Sequence, residues 1–343
     1  MKKWSKLLSL SLAVFLFGTA LAGCARNNQP PQGGGQGTAA PGKKIVWKFG
    51  HLSNEDHLWH KTAERFGELL SEKTNGQIEV QIYPNEQLGK ETDVINMIKT
   101  GAADLTITGE SLQTWAPKAA LMAVPYAFRD TDHMRKGIEG EIGQEIAEQI
   151  TDTVGLIPIY YHVRAPRNLT SNKPIRNIAD LKGLKMRVPN VPIFVEAWKA
   201  AGASPQVMAF SEVFTALQQG VISGQENPYD LIYSGGLYEV QKYVNETEHV
   251  HGWVYVVLGK NQYDALTDEQ KTAVREAAEE AQVYGDQLFI ELVADYKKQV
   301  QDRGMEIISD VDREAFRNAM EPAVKSILNE EQNAIYEKIM NMQ

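Results

Sequence analysis

Cysteine is nearly absent: Cys24 is the only one in 343 residues, so no disulfide can form within the chain. Beyond residue 22 no segment is apolar enough to cross a bilayer, which takes about 20 consecutive apolar residues. The motifs of the commoner enzyme classes are missing too. There is no Walker loop, no His-Glu-x-x-His and no paired-cysteine motif. Positive charge is in deficit, with 35 Lys and Arg against 44 Asp and Glu and a net charge of −9. That balance argues against nucleic acid and anionic membranes as partners. A site for an organic anion must then be basic locally, against the field of the whole molecule.

The amino terminus carries a targeting signal. Lys2, Lys3 and Lys6 precede an uncharged, mostly apolar run from Leu7 to Ala22, too short for a comfortable membrane span. A basic start, a short apolar core and small residues at the end describe a secretory signal over residues 1–23. Leu21-Ala22-Gly23-Cys24 resembles the bacterial lipobox, which implies cleavage before Cys24 and its acylation. More than one acyl chain gives stable anchoring. Loss of three lysines leaves 32 basic residues against 44 acidic ones, a mature charge of −12. Residues 24–43 hold no large apolar side chain and read as a flexible tether. Gly33 to Gly37 form no nucleotide loop, because no strand precedes them and no helix follows.

The 300 residues from Lys44 onward suit two domains. Strands are expected over Ile45–His51, Ile78–Tyr83 and Asp104–Thr108, with helices over Leu58–Lys73 and Glu91–Lys99 between them. That alternation implies a parallel sheet with crossover helices. A second series follows: strands at Gly155–His162, Lys185–Val188, Pro205–Met208, Val221–Glu226 and Val250–Leu258, and helices at Val191–Ala201 and Glu212–Gln219, the latter capped by Ser211. Thr267 to about Gln301 reads as one long helix reaching across both units; two helices broken near Gly285 are the alternative. Two α/β units place a ligand in the cleft at the carboxyl ends of their strands.

Isolated chemical signals are weak. His57 and His60 stand three apart at a helix start, with no third metal ligand in a recognisable pattern. Gly109-Glu110-Ser111-Leu112-Gln113 follows a strand but lacks the second glycine of a hydrolase elbow.

Ordered segments carry more. Asp180-Leu181-Lys182-Gly183-Leu184-Lys185-Met186-Arg187-Val188-Pro189 leads to Val207-Met208-Ala209-Phe210-Ser211-Glu212-Val213-Phe214, then to Gly224-Gln225-Glu226-Asn227-Pro228 and Tyr238-Glu239-Val240-Gln241-Lys242. Tyr83-Pro84-Asn85-Glu86-Gln87-Leu88-Gly89 and Val124-Pro125-Tyr126 precede them. From Lys44 to the carboxyl terminus the chain resembles the substrate-binding proteins of tripartite ATP-independent periplasmic (TRAP) transporters, the DctP family. The resemblance implies an α/β, two-lobed periplasmic-binding-protein-like fold with a long helix spanning both lobes. Lobe I would take residues 44–164 and about 253–290, and lobe II residues 165–252 and about 291–343.

It also implies the site. Arg187 would form a two-pronged salt bridge with a ligand carboxylate, for which a planar guanidinium is suited. Asn227 would add an amide to the same carboxylate. Arg167 stands where many members carry a further arginine, with Arg164 three residues earlier as the alternative. Glu110, just past the third strand, and Glu91, after the Gln-Leu-Gly turn, make the chain similar to sialic-acid-binding members; a helix-capping or exposed role is the alternative for either, and an equal one for Glu91. Carboxylates accept hydrogen bonds from hydroxyls and repel a second carboxylate. The expectation is therefore a hydroxylated monocarboxylate, such as a uronic or sialic acid. His51, Asn190, Phe210 and Trp115 are weaker lining candidates, the two aromatics being equally suited to a core.

The implied function is extracytoplasmic capture of a small organic acid and delivery to the small and large subunits of a membrane permease driven by an ion gradient. No cofactor, metal or nucleic acid is expected. A C4-dicarboxylate or 2-oxo acid is the alternative ligand. An extracellular serine hydrolase using Ser111, or a sensor that partners a kinase, is the alternative from another class.

Overall fold

The computed structural model describes residues 44–343. The signal peptide, Cys24 and the tether expected over residues 1–43 lie outside the described residues.

In the first half of the chain the apolar periods resolve into β1 (Ile45–Gly50), α1 (Leu58–Lys73), β2 (Ile78–Tyr83), α2 (Glu91–Thr100) and β3 (Leu105–Thr108). Two short 3-10 turns follow, Glu110–Thr114 and Pro117–Ala123, and then α3 (Thr131–Glu139), α4 (Glu141–Val154) and β4 (Leu156–Val163). The chain then crosses to β5 (Arg167–Ser171), β6 (Lys185–Val188), α5 (Pro192–Ala200), β7 (Ser204–Val207), α6 (Phe210–Gln218), β8 (Gly224–Asn227), α7 (Tyr229–Ser234) and β9 (Tyr243–Val250). It returns through β10 (Trp253–Gly259), α8 (Lys260–Asp264) and α9 (Asp268–Asp302), and closes with β11 (Glu306–Ile308), α10 (Arg313–Ile327) and α11 (Glu330–Asn341).

Two sheets result, ordered β2-β1-β3-β10-β4 and β11-β9-β5-β8-β6-β7. The first is mixed rather than parallel. β1 runs parallel to β2 and β3, but β10 re-enters from the other sheet and pairs antiparallel with both β3 and β4. In the second sheet β6 runs parallel to β7 and β8, while β5 is antiparallel to β8 and β9. The single strand expected over Val250–Leu258 is two: the end of β9 and, after a turn at His251-Gly252, β10 in the other sheet. Each unit buries aromatic cores, with Phe49, Phe66 and Trp59 in one and Trp198, Phe194 and Phe316 in the other.

Helix α9 is continuous for 35 residues, about 50 Å at 1.5 Å per residue. Thr267 caps it, exchanging hydrogen bonds with Gln270. It packs on α1 and β4 of the first unit and on α7 of the second, so it spans both. Gly285 does not break it. A Cβ there would lie 3.3 Å from Thr62 and 3.4 Å from the His162 ring, so the glycine permits close approach of α1 and β4. The expected division assigns everything after residue 291 to lobe II. Helix α10 does pack on α5 and β9, but α11 lies against the 3-10 turn Pro117–Ala123, and Gln332 donates to the Pro117 carbonyl at 2.6 Å.

Helix α6 begins at Phe210, and its amino end is satisfied by Glu212, whose Oε2 accepts from Ala209 N at 3.0 Å. Ser211, expected as the cap, instead donates to Glu86 of the other lobe.

Candidate ligand-binding cleft

The carboxyl ends of β3 and β6, the starts of α2 and α6 and the β4–β5 crossing converge on a cleft of about 410 Å³ between the two sheets. Seven of the sequence-derived candidates line it: Arg187, Arg167, Asn227, Glu110, Glu91, Asn190 and Phe210.

Arg187 closes β6. Its neighbours in the sheet, Gln206 and Gln225, hold the backbone, and Nε donates to the Met208 carbonyl at 2.9 Å. The guanidinium carbon lies 6.0 Å from the Phe210 ring centre. Nη1 and Nη2 make no hydrogen bond and no ion pair with any described residue, though the residue is only 4% exposed. Burial lowers its pKa to about 10, with partial relief from Glu226, so it stays charged at neutral pH.

The other three cations of the cleft are occupied. Arg167 forks onto Glu226: Nε meets Oε2, while Nη2 donates to Oε1 at 2.6 Å and to the Glu226 carbonyl at 2.8 Å. His249 Nε2 lies 2.9 Å from the same carboxylate and Nδ1 lies 2.9 Å from Thr247 Oγ1. A carboxylate only accepts, so Nε2 carries the hydrogen. Arg164 pairs with Glu110 at 3.2 Å, and Lys90 with Glu212 at 2.7 Å. The Lys90–Glu212 pair and the Ser211–Glu86 contact join the two lobes at the rim. Asn227 spends one amide hydrogen on Gln225 at 2.7 Å and gives the second to no described residue.

Glu91 opens α2 and turns into the cleft, where Thr108 donates to it at 2.5 Å and Ser111 at 3.3 Å. Burial, with the Glu110 charge nearby, pushes its carboxyl up to about 7, against those two hydrogen bonds. A pKa raised by folding stabilises the protein fully below the ordinary carboxyl range, and the gain is lost as pH rises through about 7. Relative to Glu91→Gln, the unliganded wild type should therefore lose a few degrees of melting temperature between about pH 5 and about pH 8. Parallel pH profiles for the two proteins would show that Glu91 does not titrate in this range.

The remaining expectations fall elsewhere. His51 is buried outside the cleft lining, its ring nitrogens 3.1 Å from His60 and 2.9 Å from Ser53. Burial and the neighbouring histidines lower its pKa to about 3, so it is neutral. Trp115 lies outside the lining, with the Lys99 ammonium 5.6 Å from its ring centre. His57 faces Asp230 at 3.3 Å and His60 faces Glu64 at 3.4 Å; among the described residues no three metal-ligating side chains come together. Ser111 Oγ bonds Glu91 and, among the described residues, no histidine. Sequence reasoning missed Trp59, Met208 and Leu231 as lining residues and ranked Arg164 behind Arg167, although both arginines face the cleft.

Comparison with known proteins follows the same geometry. The family model for bacterial extracellular solute-binding protein, family 7 (DctP) matches residues 49–331. A solute-binding protein of Roseobacter denitrificans is 49% identical over 304 residues, spanning 89% of this chain and 93% of its own length. The 2,3-diketo-L-gulonate-binding periplasmic protein of Escherichia coli is 32% identical, spanning 82% of this chain and 86% of its own. A crystal structure of a TRAP periplasmic solute-binding protein from R. denitrificans with bound L-galactonate matches with a TM-score of 0.85 at 49% identity, covering 87% of this chain and 99% of that one.

Proposed function

The chain belongs to the bacterial extracellular solute-binding proteins of family 7, the DctP family, and on that premise we propose that its cleft takes a hydroxylated monocarboxylate, a sugar acid, which it delivers to a TRAP permease. The observation that carries this reading is the charge balance of the cleft. Arg187 alone among its cationic side chains has no acidic partner among the described residues, while Lys90, Arg164 and Arg167 are each paired. One free fork suits one carboxylate. A second carboxylate on the ligand would meet Glu91 and Glu110 instead of a free cation. Hydroxyls suit those acids, which accept hydrogen bonds from them.

The relatives support the same class. The R. denitrificans structure holds L-galactonate and the E. coli relative is named for 2,3-diketo-L-gulonate, both sugar acids with a single carboxylate. In this reading Arg187 grips the carboxylate, helped by the second amide hydrogen of Asn227 and by Nη1 of Arg167, which bonds no described residue. Glu110 and Glu91 receive hydroxyls from the other lobe. Contacts made only when both lobes reach the ligand favour the closed form, and that difference in affinity drives closure. The protein acts outside the cytoplasm, and Cys24 would carry the lipid that keeps it at a membrane surface.

A thermal-melting panel tests the ligand class. Galactonate, glucuronate and sialic acid represent sugar acids, with succinate and pyruvate as the contrasting classes. A cognate sugar acid at about 100 times its Kd should stabilise the fold by about 2.7 kcal/mol. A shift with succinate and none with any sugar acid would replace this reading with a dicarboxylate receptor.

A further inference from the structure

Glu110 does not face the cleft as a free carboxylate. Arg164, on the crossing between β4 and β5, reaches it with Nη1 alone, at 3.2 Å and 3.5 Å from its two oxygens. This grip differs from that of Arg167, which turns two edges of its fork onto Glu226. A guanidinium placed only to neutralise Glu110 would turn its planar fork the same way. Here Nη2 makes no hydrogen bond to a described residue, and Nε is buried without a partner. Trp59 holds the side chain in this orientation, its ring centre 5.9 Å from the guanidinium carbon. Both members of the pair are buried, at 6% exposure each, and both line the cleft. An ion pair buried at this cost, with donors left over, is incomplete without something in the cleft.

Its position says what that something is. Arg187 stands on β6, which β8 separates from β5 and Arg167 in the sheet, whereas Arg164 precedes Arg167 on the crossing that leads into β5. Arg164 therefore lies where the chain crosses between the two sheets, and Arg187 lies two strands from β5. The backbone of Arg164 donates to the Gly252 carbonyl of the returning crossing, which fixes it where the chain passes between the two sheets.

We propose that Arg164 and Glu110 form one donor–acceptor subsite that reads adjacent hydroxyls on the tail of the ligand, at the end of the cleft away from the carboxylate anchor, and so select for chain length in the acid. The inference rests on the sugar-acid reading. The uncommitted Nη2 gives a hydrogen bond to one hydroxyl oxygen, and a carboxylate oxygen of Glu110 accepts from the neighbouring hydroxyl. A four-carbon acid held at Arg187 leaves the pair unfilled.

Calorimetry with L-galactonate and D-erythronate tests this on wild type, Arg164→Lys and the double variant Arg164→Gln/Glu110→Gln. Lysine keeps a charge beside Glu110 but lacks the fork, and the double variant leaves no buried charge alone, so both should fold. In each, galactonate should weaken by about tenfold or more while erythronate changes by less than about threefold. Preservation of the wild-type preference for the longer acid overturns the proposal. So does an equal loss for both acids in a variant that melts like wild type, which would make Arg164 part of the anchor. Wild type that binds neither acid fails the sugar-acid reading itself, before any variant is compared.

Discussion

Arg187→Ala is expected to weaken sugar-acid binding by about 100-fold or more, measured by calorimetry, with no loss of melting temperature in the unliganded protein. The size of the effect follows from the atoms. Nη1 and Nη2 are free, and two charge-assisted hydrogen bonds to a carboxylate at about 1.5–3 kcal/mol each give roughly two to four powers of ten. The stability half is the sharper test. Arg187 contributes the Nε bond to the Met208 carbonyl and a contact with the Phe210 ring, while burial works against its charge. No acid is orphaned when it leaves, so the unliganded protein should melt at the same temperature or higher. A structural arginine would behave in the opposite way, with intact affinity and a fold weakened by several degrees. Arg187→Lys separates charge from shape: it retains a cation but not the planar pair of donors, and about a tenfold loss of affinity is expected.

The segments that pattern made legible are those with one apolar face. Helix α1, strand β2 and strand β6 have the bounds their periodicity predicts, because each alternates or repeats against a single core. Strands β5 and β9 escaped prediction for the opposite reason. Arg167-Asn168-Leu169-Thr170-Ser171 is polar yet wholly buried, and its burial is offset by partners distant in sequence: Asn245 donates to the Leu169 carbonyl, and Gln225 to the Thr170 hydroxyl. Nothing local announces such a strand. The same limit governed the two arginines. Arg164 and Arg167 flank Ala165-Pro166 on a crossing between sheets, where strand alternation does not decide which side chain faces the cleft, and both do. His51 shows the reverse error. It stands at the carboxyl end of β1, the right place for a ligand contact, but His60 and Ser53 take both ring nitrogens.

Charge pairing also explains how an acidic protein hosts an anion. The cleft does not rely on excess positive charge. Three of its cations are cancelled by Glu212, Glu110 and Glu226, leaving one net fork at Arg187. Such a site discriminates by geometry and by count of charge, since every other anion-binding group already holds an acid. The Lys90–Glu212 and Ser211–Glu86 contacts at the rim belong to both lobes, so they form only with the lobes together. They are exposed and contribute modestly, which leaves the balance between open and closed forms to the ligand.

Glu226→Gln should be the most damaging single change to the fold. Glu226 is fully buried, and burial pushes its carboxyl up, yet Arg167 and the hydrogen bond from His249 outweigh that and hold it well below the usual carboxylate range. The amide removes the countercharge and turns an NH2 group toward a guanidinium edge or toward the imidazole hydrogen. Breaking a buried pair in this way costs about 3–5 kcal/mol, or roughly 10 °C of melting temperature in a domain of this size. A drop of less than about 1 kcal/mol would mean that water already serves Arg167 from the cleft. Ligand then separates two roles for Arg167. If its Nη1 edge meets the bound carboxylate, the anion restores part of the missing countercharge, and the ligand-induced rise in melting temperature is larger in Glu226→Gln than in wild type at equal multiples of Kd. If Arg167 only braces β5 against β8, the two rises are equal. The double replacement Arg167→Met/Glu226→Leu completes the comparison: apolar side chains of similar volume should recover much of the stability, as buried pairs often allow, yet a protein that folds in this form without Arg167 should still bind the sugar acid more weakly than wild type.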